Sequence, residues 1–163
     1  MDELFAPPDQ NWQRLSPNYR SMRRLNSVIW LTILFGGGAL AIALLTELRW
    51  LTILILVAGI ITMVARWVVV GHNWKSWGYL EREDDLYITN GVLFRTLITV
   101  PYGRMQVVEV HSTPMQRAFG LATVQLVTAS ASTDAVIPGL LPAEAAALRD
   151  RLTDLGEVQA SGL

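Results

Sequence analysis

Cysteine is absent from this 163-residue chain. Its absence excludes disulfides, thiolate nucleophiles and cysteine-ligated zinc or iron–sulfur centres. Charge is scarce as well. Asp, Glu, Lys and Arg make up 17% of the residues, against about 25% in an ordinary soluble domain, and Val28–Leu45 holds none. No basic cluster stands out after the apolar region. From Gly71 onward seven basic side chains face ten acidic ones, a net charge of −3. Nucleic-acid binding draws on clustered Lys and Arg to neutralise phosphates, so nucleic acid is not an expected partner. The only histidines are His72 and His111, and no carboxylate stands at a metal-ligand spacing from either. Ser112, Ser130 and Ser132 lie outside any Gly-x-Ser-x-Gly elbow, and no phosphate-cradling glycine loop is found. The chain therefore reads as a non-enzyme with no cofactor and no metal.

The scarcity of charge has a local source. Two apolar runs, Val28–Leu45 and Trp50–Val70, are separated only by Thr46-Glu47-Leu48-Arg49. Each is about 18–21 residues, enough at about 1.5 Å per residue to cross a hydrocarbon core of about 30 Å. The link is too short to hold a domain. The pair predicts a transmembrane helical hairpin within residues 27–71. A segment over 1–26 precedes it, and a soluble domain over 77–155 and a frayed tail over 156–163 follow it. A cleavable signal peptide is the rival reading of the first run, because Ala39-Leu40-Ala41 and Ala41-Ile42-Ala43 resemble cleavage sites. The run exceeds the roughly 7–15 residues of a signal core, which favours a span.

Arg14, Arg20, Arg23 and Arg24 precede the first run, and Arg66 and Lys75 flank the end of the second. The link carries only Arg49, balanced by Glu47. The positive-inside rule then puts both termini in the cytoplasm of a multi-pass plasma-membrane protein. Trp30, Trp50, Trp67 and Trp74, with Trp77, fall near the ends of the runs, where indole anchors at headgroup level. Arg66 is a charge inside an apolar run. Near the inner end, its long side chain either snorkels to lipid phosphate or meets a functional partner. Gly36-Gly37-Gly38 permits either a close approach of the second helix or a kink.

Beyond Trp77 the pattern changes to short segments of β-propensity. Asp85–Thr89, Val92–Val100, Met105–Ser112, Leu121–Thr128 and Ala135–Ile137 read as strands. Asn90-Gly91 between the first two is a hairpin signal, since both residue types accept positive φ. Thr113-Pro114-Met115-Gln116 has the chemistry of a capping box with proline at the first helical position. Gly120 suits the end of that single turn, and Met115 and Phe119 suit its buried pair. Pro138-Gly139 reads as a turn. Pro142–Leu155 reads as an amphipathic helix with Ala145, Leu148, Leu152 and Leu155 on one stripe, closed by Gly156.

Two strings carry a family resemblance. Val100-Pro101-Tyr102-Gly103-Arg104-Met105-Gln106-Val107-Val108-Glu109-Val110 resembles an Ile-Pro … Arg-Ile-Gln-x-Val-x-Val signature. Pro114-Met115-Gln116-Arg117-Ala118-Phe119-Gly120-Leu121-Ala122-Thr123-Val124 resembles a Leu-Gln-Arg-x-Phe-Gly-Leu-x-x-Val signature. Both belong to bacterial membrane-anchored PH-like domain proteins of the YdbS type. Ile137-Pro138-Gly139-Leu140, the helix after it and the preceding hairpin also fit. Thr128-Ala129-Ser130 departs from that family's Thr-Ala-Gly, and a glycine there would ease a positive φ. The resemblance implies a membrane α-helical hairpin plus an all-β PH-like domain. That domain is a bent antiparallel sheet or partly open barrel closed by a C-terminal helix. Such scaffolds serve lipids, phosphopeptides, proline-rich ligands and plain protein docking, so the fold alone assigns no chemistry.

Arg104 and Gln106, at the start of a predicted strand, are candidate binding residues or partners of nearby backbone carbonyls; alternation puts them on one face with Val108 and Val110. Gln116 and Arg117 are the second candidate pair, Arg117 as an anion contact or a solvated side chain. Glu83-Asp84-Asp85 gives a candidate loop the wrong sign for a polyanionic lipid headgroup and lacks the ladder of a calcium loop. The function expected is a non-enzymatic module docking a protein partner at the cytoplasmic face, in cell-envelope maintenance or stress as the resemblance implies. The expected partners are membrane lipids and another membrane protein or PH-like paralogue. The alternative is a lipid-sensing or transport accessory acting through the hairpin.

Overall fold

The computed structural model describes residues 12–92, 94–128 and 134–161. They divide into two units, one formed by the apolar helices over 20–72 and one by the flanking chain on both sides.

Helix begins well before the first apolar run. Ser16 Oγ accepts from the Asn18 N–H at 3.3 Å, and Pro17 takes a position where a missing N–H costs nothing. Helix α1 spans Pro17–Leu31 and α2 Gly37–Leu45, joined by a π-helical turn over Thr32–Gly36. Helix α3 spans Arg49–Lys75. Only 6% and 11% of the most apolar windows of these helices are buried. A helix that is apolar all round and unburied within its own chain is suited to hydrocarbon, not to water. Within this unit Gly59 lets Phe35 lie close, since a β-carbon on Gly59 would come 2.9 Å from Phe35 Cβ. The Arg24 guanidinium stacks 4.3 Å from the centroid of Trp67.

The second unit contains two three-stranded antiparallel meanders, β1–β2–β3 and β4–β5–β6. These are β1 (Gly78–Glu81), β2 (Asp85–Asn90), β3 (Thr96–Pro101), β4 (Met105–His111), β5 (Ala122–Thr128) and β6 (Ala135–Leu140). A short helix α4 (Pro114–Ala118) joins β4 to β5, and α5 (Pro142–Ser161) follows β6. The sheets are not closed into a barrel. Their core is Leu86, Ile88, Val100, Leu121, Val124, Leu126, Ile137 and Leu140, with Ala145, Leu148 and Leu152 of α5 set on it, each at most 1% exposed. Tyr102, in a 3₁₀ turn over Tyr102–Arg104, is also fully buried and donates its hydroxyl hydrogen to the Arg82 carbonyl at 2.9 Å.

Several local expectations change. The Asn-Gly signal does not make a two-residue turn. Asn90 stays extended and pairs with Thr96, so Gly91 (φ 98°) opens a five-residue loop. The cause is register: pairing the buried Leu86 with the buried Val100 fixes where the hairpin closes. Strand β1 has no counterpart among the predicted strands. Pro138-Gly139 lies inside β6, where the pairing with β5 shifts between Ala122 and Val124. It therefore accompanies a bulge and not a turn. Helix α5 runs past Gly156 as far as Ser161, into the expected tail. A mid-helix glycine costs about 1 kcal/mol, and Gln159 offsets it by accepting from Gly103 N–H and donating to Asp84 Oδ1, both at 3.0 Å. The capping box at Thr113 and the left-handed Gly120 (φ 63°) form as the sequence predicts. Ser130 lies outside the described residues.

The upstream segment is part of this unit. Gln13 and Tyr79 exchange backbone hydrogen bonds of 2.9 and 3.0 Å along the edge of β1, and Ser16 N–H donates to Gly139 O at 3.0 Å. The Trp74 indole N–H donates to Ser16 O at 3.1 Å. Leu15 and Tyr19 are buried. This strap covers the outer edge of β1 and touches β6.

Candidate functional site

Strand β4 stands at the edge of its sheet, with β5 on one side only. It is the least buried strand of the domain. Gln106, Val107, Glu109, Val110 and His111 are exposed, Val107 to 48%. Its sequence explains why. Met105 pairs with Thr128 and Val107 with Val127, so Gln106 is an extra residue, a bulge that breaks the alternation. Natural edges are blunted by bulges and charges because an open row of backbone groups invites another strand. Here Gln106, Glu109 and the bulge blunt the edge, while two exposed valines leave it adhesive.

The candidate residues fall around this strand in different roles. Arg104 lies in the 3₁₀ turn before β4, so the alternation that would align it with Gln106, Val108 and Val110 does not apply. Arg104 and Gln106 are exposed, and neither makes a hydrogen bond or ion pair among the described residues. Arg117 is exposed on α4, beyond the other end of β4. Gln116 is different. It is buried, its Oε1 accepts from Thr113 N–H at 2.9 Å, and its Nε2 donates to Thr123 Oγ1 at 2.7 Å. Its polar atoms are spent inside the fold, joining α4 to β5, which is a structural role. Met115 and Phe119 are half-buried.

In the helical unit Trp30, Trp50 and Trp67 are exposed, and Arg66 is exposed without a partner among the described residues. Trp74 is half-buried and holds the strap.

A second concave region, of about 460 Å³, is lined by Gln13, Arg14, Tyr79, Glu144 and Arg151 among others. Its polar groups are largely engaged. Arg151 grips Glu81 through two bonds of 2.9 and 3.0 Å, which raises the guanidinium pKa. Tyr79 donates to Gln13 Oε1, and Glu144 Oε2 accepts from Leu141 N–H at 3.2 Å. Burial, then the nearby Glu81, pushes the Tyr79 and Tyr102 hydroxyls up to about 12. The Glu81–Arg151 pair joins residues far apart in sequence, and no local pattern announces it. No group of three or more His, Asp or Glu poised for a metal occurs among the described residues. The β4 edge offers backbone pairing and side-chain contact.

The bacterial PH domain family matches residues 28–155. The UPF0699 transmembrane protein YdbS of Bacillus subtilis (strain 168) is 36% identical over 84 residues, 52% of this chain and 52% of that protein. The chain spans about half the length of this curated relative. No solved structure matches the chain significantly.

Proposed function

This chain belongs to the bacterial PH domain family, as a membrane protein of the YdbS type, and on that footing we propose that it is a non-enzymatic docking module whose β4 edge receives an extended segment of a second membrane protein. The observation that carries this reading is the exposure of Val107 and Val110 on an edge strand. Strand addition draws affinity from main-chain hydrogen bonds and specificity from alternate side chains. Arg104 and Gln106 at one end and Arg117 beyond the other are the polar contacts that would fix its register. Tethering raises the effective concentration for partners in the same membrane.

The reading includes a two-span hairpin with both flanks in the cytoplasm. It is supported by the folded unit itself, which takes chain from before the first apolar helix and after the second. One unit cannot assemble from segments on opposite faces of a bilayer. The arginines before the first span favour the cytoplasmic face. Single cysteines at Asn18 and Thr153, in a chain with no native cysteine, should label from the same side.

The experiment is site-specific photocrosslinking in native membranes. A photoreactive residue at Val107 or Glu109 should give a discrete protein adduct that one at the exposed Asp154 of α5 does not. Equal adducts from both positions, or none from β4, would overturn the docking role.

A second reading, lipid recognition by the hairpin, is favoured by an apolar cleft of about 230 Å³ lined by Thr32, Phe35, Gly36, Gly59, Ile60 and Met63 at the π-helical turn. Gly36→Leu should then change the lipids that co-purify, and an unchanged lipid set would sink this alternative.

A further inference from the structure

The loop between β2 and β3 carries an aromatic side chain with almost no contact to its own chain. Phe94 is 88% exposed and Val92 43%. Gly91 sits at φ 98°, and a β-carbon there would strike the Phe94 carbonyl, only 1.9 Å away. The carbonyl of Phe94 is thus packed on Gly91 while its ring is left outside. An isolated exposed apolar residue needs no explanation, but Phe94 and Val92 are exposed together on one loop.

Register says at which end of the sheet this loop lies. The chain leaves α3 at Lys75 and enters β1 at Gly78. Gly78 pairs with Thr89, and Asn90 with Thr96. The loop Gly91–Arg95 therefore emerges at the end of the sheet where the chain arrives from the apolar helix, two strands or about 10 Å across. The exposed Glu83 and Asp84 belong to the β1–β2 loop, at the opposite end. The six residues of β2 separate the two loops, about 20 Å of strand. Lys75 and Arg95 stand at the end where the chain leaves α3, with Glu83 and Asp84 at the other beside Arg82. An anionic leaflet attracts Lys75 and Arg95.

We propose that the Gly91–Arg95 loop is a bilayer anchor, Phe94 entering the interfacial zone of the same membrane that holds the helices, with Val92 beside it and Arg95 at headgroup level. The occupant is the lipid surface, not a selected headgroup, because the loop carries one basic residue and no phosphate-binding cluster. Aromatic rings favour the interface for the same reason that tryptophans mark span ends. The anchor would fix the attitude of the domain on the bilayer, and it does not depend on what docks at β4.

The test uses the full chain and its lack of cysteine. Phe94→Cys is labelled with an environment-sensitive fluorophore and reconstituted into phosphatidylcholine vesicles containing phosphatidylglycerol. Thr153→Cys on α5 is the water-exposed control, and Val92→Cys is an independent position on the same loop. The expected result is a blue-shifted emission from both loop probes, with loss of intensity when spin-labelled lipid is added and no change at the control. Loop probes that emit like the control and resist the lipid quencher overturn the proposal. That outcome would leave Phe94 to a protein contact.

Discussion

Tyr19 lies on Gly139 so closely that a β-carbon at Gly139 would come within 2.5 Å of the Tyr19 ring. The two residues come from opposite sides of the apolar region, one just before it and one at the end of β6. Their contact, with the Ser16–Gly139 hydrogen bond beside it, fastens the strap to the second sheet. Leu15 and Tyr19 are buried there at 2% and 7% exposure, so the strap contributes core and not merely cover.

Gly139→Ala should therefore be costly for two reasons. It places a side chain at φ 71° and drives it into the ring. The expected loss is about 1–3 kcal/mol, read as a lowered midpoint of thermal unfolding in detergent. Tyr19→Ala and Gly139→Ala should combine with less than the sum of their separate losses, because the first removes the ring that the second would strike but not the backbone strain.

Gln116→Leu removes the side-chain half of a reciprocal cap, the bond accepted from Thr113 N–H, and leaves Thr123 Oγ1 without its donor, while the backbone N–H of residue 116 still donates to Thr113 Oγ1. A loss of about 1–3 kcal/mol is expected. Arg117→Ala, one residue along and exposed, should change stability by under about 0.5 kcal/mol. Unfolding curves of the two variants check this, and equal effects would contradict the assigned roles.

The tyrosines give a pH dependence. Tyr79 and Tyr102 have folded pKa values pushed up to about 12, from an ordinary 10.0. The folded state then holds these protons more tightly than the unfolded chain. Stability from this source is complete below pH 10 and is lost as the pH rises from about 10 towards 12. An alkaline series of melting temperatures should be flat up to about pH 9 in this respect and fall above about 10, with part of the tyrosinate absorbance appearing only near 12 or on unfolding.

Glycines in the apolar helices separate into two kinds. Gly59 has Phe35 where a β-carbon would go, whereas Gly36, Gly37 and Gly38 have nothing within 4 Å. Gly59→Leu should lower the resistance of the reconstituted protein to heat or detergent, and Gly37→Ala should not. Disulfide trapping between introduced cysteines on α1 and α3 reports the same contrast.

Much of this molecule is legible in its sequence. The apolar runs, the Thr113 capping box and the buried stripe of Ala145, Leu148 and Leu152 are local patterns, and each appears where its pattern lies. What escaped was set by distant pairing. Asn90-Gly91 looked like a tight turn until the Leu86–Val100 pairing moved the closure. β1 is only four residues long and takes its identity from β2 and from Gln13. The exposure of β4 follows from a bulge at Gln106, which no composition rule marks. Gln116 matched a family signature, and its bonds to Thr113 and Thr123 account for it without a ligand.

The strap also imposes an order on biogenesis. Leu15 and Tyr19 are synthesised before the apolar helices, yet the surface that receives Tyr19 includes Gly139, synthesised after them. The domain cannot complete its core until both apolar helices have been synthesised. The core of the domain is thus closed across the whole apolar region, and a chain cut within that region could not finish it from one fragment alone.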